Sequence, residues 1–201
     1  MDEISDEQLI SMAKEAAKKA IAIGRKYDTL LEVYFDGQGY AQKDEIAQVR
    51  KYHKNPNMWD YFLRTRIAVD SLEDLLDEKE GNLDKVQMLF ADMEEREEAW
   101  KELEREGVFE LVGSLQYNIE INAVGVNKGT GLVNLGKMLG IRREEIMACG
   151  DGDNDIAMLK EVGFGVAMAN AEEKVKAVAD YITESNNDEG VAKAIEKFVL
   201  K

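Results

Sequence analysis

The chain has little of several residues on which common sites and folds depend. Its 201 residues include one cysteine, one proline and one histidine. The single cysteine, Cys149, excludes an intrachain disulfide framework and any cysteine-built zinc site, and this usage suits a reducing cytoplasm. The opening Met-Asp-Glu-Ile-Ser-Asp-Glu-Gln has neither a basic stretch nor an apolar run, as expected of a cytoplasmic chain. Basic charge is also scarce. With 26 Lys+Arg against 41 Asp+Glu, the net charge is −15, which opposes both a nucleic-acid partner and an anionic membrane surface. Because Pro56 is the only proline, boundaries must be read from glycine and from changes of hydrophobic period.

What is present is the composition of a folded protein: 45% hydrophobic and 33% charged, over a length sufficient for one large or two small domains. Ser5 and Gln8 form a capping-box pattern, and apolar residues then recur at helical spacing until Gly24. Leu30 to Phe35 reads as a strand, Asp36-Gly37-Gln38-Gly39 as a hairpin turn, and Tyr40 to Gln42 as its return. Asn55-Pro56-Asn57 marks a loop, and Ile67 to Leu76 reads as a strand turning into a short helix. Val86 to Phe90 is strand-like, Glu94 to Glu106 is a charged helix with a solvated face, and Phe109 to Val112 and Tyr117 to Ile121 are further strands. The first half is thus expected to combine helices with an antiparallel sheet.

After Gly125 the rhythm changes. Helices at Thr130 to Leu139, Ile156 to Val162, Glu172 to Ala179 and Gly190 to Val199 alternate with strands at Ile146 to Cys149, Gly165 to Met168 and Tyr181 to Thr183. Short apolar strands alternating with helices predict a parallel sheet covered on both faces. The fold class is therefore α/β.

Chemistry concentrates where a buried strand ends at Cys149-Gly150 and releases Asp151, Asp153, Asn154 and Asp155 before a helix. Open α/β sheets place ligands at that carboxyl edge, and Mg²⁺ needs only one or two carboxylates with waters and substrate phosphate. Asp151 and Asp155 are the candidate metal ligands. An EF-hand reading fails, because its sixth position holds Ile156 and its twelfth Val162 instead of Gly and Glu. A turn with an Asp helix cap is the structural alternative. Upstream, Lys128 beside Gly129 and Gly131 precedes an apolar helix and can meet a phosphate as a point charge; the spacing is not that of a Walker A loop.

Asn127-Lys128-Gly129, Gly150-Asp151-Gly152-Asp153-Asn154-Asp155-x-x-Met158-Leu159, Gly165-Val-Ala-Met-Ala-Asn170-Ala171, Ala179-Asp180 and Asn187-Asp188-Glu189-Gly190-Val191 follow one another in an order that resembles the closing half of a haloacid-dehalogenase-superfamily hydrolase of the Cof type. The resemblance implies a type IIB cap, an α+β domain, over residues 1–113, followed by the C-terminal half of a Rossmann-like core over residues 114–201. It also implies a Mg²⁺-dependent phosphatase of small phosphorylated metabolites such as sugar phosphates. In such enzymes an Asp nucleophile attacks the phosphate monoester and a second Asp two residues later serves as general acid and base. Carried over, Lys128 would stabilise nucleophile and phosphoryl charge, Asp151 would ligate Mg²⁺, Asn154 would reach phosphate, and Asp155 would support the metal or hold Lys128.

One departure matters. The family's opening Asp-x-Asp-Gly-Thr does not occur in these residues, and neither Asp36 nor Asp92, each following an apolar run, supplies it. No nucleophile can be nominated. A truncated chain with little activity alone is expected, with an exposed core edge that favours self-association. The alternative is a non-catalytic phosphate- or metal-binding module. Cys149 and the methionines Met12, Met138, Met158 and Met168 read as core packing, His53 as exposed, and Trp59, Tyr61 and Phe62 as a cluster that packs in the core or lines a substrate face.

Overall fold

In the computed structural model, which describes residues 5–200, the first capping box forms as its sequence implies. The Ser5 hydroxyl accepts from the Gln8 N–H at 3.3 Å, and the Gln8 side chain accepts from the Ser5 N–H at 2.9 Å. This starts α1 (Asp6–Gly24). β1 (Thr29–Phe35) and β2 (Gln38–Gln42) form the expected hairpin. Its turn holds Asp36 at φ 50° and Gly37 at φ 77°, the left-handed pair that a tight two-residue hairpin requires. Asp36 is fixed there by accepting from the Asn82 backbone and side-chain nitrogens at 3.2 and 3.0 Å.

The chain continues through α2 (Lys43–Ala47), α3 (Val49–Tyr52), α4 (Trp59–Thr65), β3 (Ile67–Val69), α5 (Leu72–Glu78), β4 (Leu83–Phe90), α6 (Met93–Glu106), β5 (Phe109–Val112) and β6 (Asn118–Ala123). Six strands lie in the order β3-β2-β1-β4-β6-β5. The pairs are antiparallel except β2 with β3. Alternation along the strands decides which face is apolar. Leu31, Val33, Phe35, Met88 and Ile119 pack against Ala20 and Ile21 of α1, Leu72 and Leu76 of α5 and Leu103 of α6. The opposite face carries Glu32, Tyr34, Lys85, Gln87 and Glu120. Glu32 is fully buried, paired with Arg66, and accepts from Gln87 Nε2 and the Tyr34 hydroxyl, both at 3.1 Å. Burial pushes its carboxyl above the ordinary value, against the pull of Arg66.

The second unit contains α7 (Lys128–Met138), β7 (Met147–Gly150), α8 (Ile156–Glu161), β8 (Phe164–Ala167), α9 (Glu173–Lys176), β9 (Tyr181–Ile182) and α10 (Gly190–Phe198). Its strands form a parallel sheet in the order β7-β8-β9, as the alternating pattern predicts. Leu159, Ala167, Ala171 and Val175 form one cluster, and Ile146, Ala148 and Val162 another that takes in Leu132 of α7. Phe164 and Tyr181 pack on Phe198 of α10 with ring centroids 4.7 and 4.9 Å apart. Helices therefore cover both faces.

Several expectations change. The two units divide at Val124 and Gly125, not after residue 113, because β6 pairs with both β4 and β5 and keeps Asn118–Ala123 in the first sheet. His53 is 7% exposed, not solvent-facing: the turn through Pro56 folds α4 back over α3, and the ring lies edge-on to Phe62 and Tyr117. Met12 and Met138 are exposed, the latter by 84%, while Met168 is buried and Met158 partly so. Of the aromatic cluster only Phe62 is core; Tyr61 is exposed, and Trp59, half-buried, donates to the His53 carbonyl at 2.8 Å. The helix predicted over Glu172 to Ala179 is regular only at Glu173–Lys176 and runs on as turns. Cys149 is half-buried on β7, and burial pushes its thiol up, in keeping with a packing role.

Candidate functional site

Asn127 creates the first half of the site. Its side chain accepts from the Gly129 and Thr130 N–H groups at 2.9 and 3.0 Å, and Thr130 Oγ1 accepts in return from the Asn127 N–H at 3.1 Å. This capping box starts α7 at Lys128, two residues before the predicted Thr130. Gly129 then lets α7 approach α8 closely: a Cβ there would stand 2.8 Å from the Ala157 carbonyl oxygen. Lys128 is thereby brought across to the loop that follows β7.

That loop supplies the carboxylates. Lys128 Nζ lies 2.6 Å from Asp155 Oδ1. Asp155 Oδ2 accepts from the Asp151 and Gly152 N–H groups at 2.9 and 3.1 Å. Asp155 is 6% exposed, and Gly150 makes room for it, since a Cβ at 150 would fall 2.5 Å from the Asp155 Cβ. Burial opposes its ionisation, but Lys128 and the two N–H groups outweigh burial and hold the carboxyl below its ordinary range. Its carboxylate bonds back to the loop and does not cap α8, so the helix-cap alternative is not what forms.

The other polar groups diverge. Asp151 is exposed, and its Oδ2 accepts from Asn170 Nδ2 at 2.9 Å. Asp153 Oδ2 lies 2.6 Å from Lys174 Nζ. Asn154 is half-buried, and its side-chain amide makes no hydrogen bond among the described residues. The three carboxylates of this loop thus have three separate partners. Among the described residues no three His, Cys, Asp or Glu side chains group as a metal cluster. The donor set fits a hard cation held through the single carboxylate of Asp151 and completed by waters and phosphate oxygens. Asp155, already neutralised by Lys128, fits the second of its two expected roles, that of holding the lysine.

Sequence reasoning brought together Lys128, Asp151, Asn154 and Asp155, and the structure clusters all four in the second unit. It gave no role to Asn170, named only within a motif, and passed over Lys174; both reach the same loop from beyond β8. The signal for Asn170 was its place three residues after the carboxyl end of β8, the edge where ligands gather.

Comparison with known proteins extends these observations. The sequence profile of the haloacid dehalogenase-like hydrolases matches residues 2–195. The chain is 50% identical over 105 residues to the 5-amino-6-(5-phospho-D-ribitylamino)uracil phosphatase YcsE of Bacillus subtilis, a match covering 52% of this chain and 42% of that protein. The matched stretch is thus less than half the relative's length. A haloacid dehalogenase-like hydrolase from B. subtilis superposes with a TM-score of 0.75 at 25% identity, over 98% of this chain and 72% of that one. The HAD subclass IIB sugar phosphatase BT4131 superposes with a TM-score of 0.70 at 25% identity, over 94% of this chain and 67% of that one. Among the described residues no helix is long and apolar enough to cross a membrane.

Proposed function

Because the chain belongs to the haloacid dehalogenase-like hydrolases, we propose that it serves Mg²⁺-dependent hydrolysis of a small phosphomonoester, such as a sugar phosphate, in the cytoplasm. The first unit takes the part of a type IIB cap, and the second that of the C-terminal portion of a Rossmann-like core. The observation that carries the reading is the Lys128 to Asp155 ion pair beside Asp151 and Asn154 at the carboxyl end of β7. Phosphoryl transfer asks mainly for positioning and for neutralisation of charge on the phosphoryl oxygens. Lys128 presents an ammonium held in place by a buried carboxylate, and Asn154 presents an amide, unpaired among the described residues, that can donate to a phosphate oxygen. Asp151 would hold Mg²⁺, which when bound supplies Lewis-acid neutralisation of the phosphate. Self-association through the edge of the second sheet belongs to the same proposal.

The 201 residues contain no Asp-x-Asp-Gly-Thr, so the covalent route finds no nucleophile among them, and little turnover is expected of the chain alone. The test uses the purified chain with Mg²⁺ and p-nitrophenyl phosphate, alone and mixed with a polypeptide bearing an Asp-x-Asp-Gly-Thr strand. Hydrolysis that arises on mixing and disappears with Asp151→Ala is the expected result. Hydrolysis unaffected by Asp151→Ala overturns the site. Mg²⁺-dependent binding of inorganic phosphate with no hydrolysis in either sample would favour the non-catalytic module.

A further inference from the structure

Of the three carboxylates on the loop after β7, only one is held without a cation. Asp155 is paired with Lys128 and Asp153 with Lys174, whereas Asp151 is met by the side-chain amide of Asn170. We infer that Asn170 is a positioning residue, which fixes the orientation of the Asp151 carboxylate while leaving its charge intact for a divalent cation. The inference rests on the metal role proposed above for Asp151.

The argument begins with the direction of the amide. Asn170 Oδ1 accepts from the Asn186 N–H at 2.9 Å. A backbone N–H can only donate, so the oxygen must face it, and the NH₂ is left to face Asp151 Oδ2 at 2.9 Å. The Asn186 end is anchored. The turn that carries it is closed by the Gly190 N–H donating to the Ser185 carbonyl at 3.0 Å and the Asn187 N–H donating to Ser185 Oγ at 3.2 Å. Below the turn, the buried Thr183 hydroxyl donates to the Gly190 carbonyl at 2.7 Å. Asn170 thus transmits the position of a fixed turn to an exposed carboxylate whose other oxygen accepts no hydrogen bond among the described residues. A lysine at 170 would reach the same oxygen but would neutralise it, as Lys174 does for Asp153. Groups that orient a metal ligand through a hydrogen bond change metal affinity by about 10–100-fold when removed.

Two measurements on the full chain test this. Calorimetric titration with Mg²⁺ alone should show affinity falling about tenfold in Asn170→Ala. The thermal midpoint of each variant is followed in parallel, and unchanged affinity in a folded Asn170→Ala protein overturns the inference. In the metal-free chain, hydrogen exchange of the Asn170 side-chain amide protons, followed by NMR, should accelerate in Asp151→Ala while the Asn186 N–H keeps its protection. Exchange of the Asn170 amide that is indifferent to Asp151→Ala also overturns it. Should the native chain bind no Mg²⁺ while that exchange responds, the contact stands and the metal role of Asp151 falls.

Discussion

His53 is enclosed by aromatic rings, with Nδ1 3.2 Å from the Tyr117 hydroxyl. Burial, aided by the charge of Arg66, pushes its imidazole below the ordinary value of 6.5. The unfolded chain therefore takes up this proton at a higher pH than the folded chain does. The stability associated with neutral His53 is present above pH 6.5 and is lost as pH falls through the lower folded value. Urea midpoints measured between about pH 7 and pH 5 should fall with acidification in the native chain, and His53→Phe should flatten that dependence. An unchanged slope in the variant would refute the assignment. Asp155 acts in the same direction in a more acidic window: its contribution is present above 3.8 and is lost as pH falls through its depressed folded value. Asp155 was legible as a candidate site residue from its motif, but the burial of His53 was not, because it depends on α4 folding back over α3 and on Tyr117 arriving from a segment 64 residues away.

At the scale of elements, the site depends on the contact between α7 and α8. A Cβ on Gly129 would meet the Ala157 carbonyl oxygen at 2.8 Å and its carbon at 3.0 Å, and backbone cannot turn aside as a side chain can. Gly129→Ala should force the helices apart, costing about 1–3 kcal/mol and displacing Lys128 from Asp155. Gly131, two positions along the same helix, has nothing within 4 Å of where a Cβ would stand, so Gly131→Ala should be neutral or gain up to about 1 kcal/mol from helix propensity. Thermal unfolding followed by circular dichroism compares the pair, and equal effects at the two positions would contradict the close-approach argument. Turn chemistry and helix and strand periods announced most elements: the Asp36-Gly37 hairpin, the charged helix of α6 and the β/α alternation after Gly125. The short α2, α3 and α4 escaped, since segments of 5, 4 and 7 residues are too brief to display a helical period.

In the molecule as a whole, two units carry different burdens. The first holds the larger sheet, and its polar face satisfies itself through Glu32, Arg66, Tyr34 and Gln87. The second holds the proposed site on a sheet whose β7, among the described residues, pairs only with β8. Leu135, Met138 and Leu139 of the same unit are exposed. An apolar edge and apolar helix residues together favour association between copies. Light scattering should detect species larger than a monomer, reduced by Leu135→Lys with Met138→Lys; a monodisperse monomer would count against self-association. The sequence by itself determined the parallel β/α order, the loop of carboxylates at a strand's carboxyl edge, and the kinship with the haloacid dehalogenase-like hydrolases, because period, turn chemistry and motif spacing are local properties. Only the tertiary structure decided that the first sheet runs on to Ala123, that Asp155 pairs with Lys128, and that the Asn170 amide meets Asp151. Each of those depends on which distant strand, helix or turn arrives beside a residue, and chain order alone does not specify that arrival.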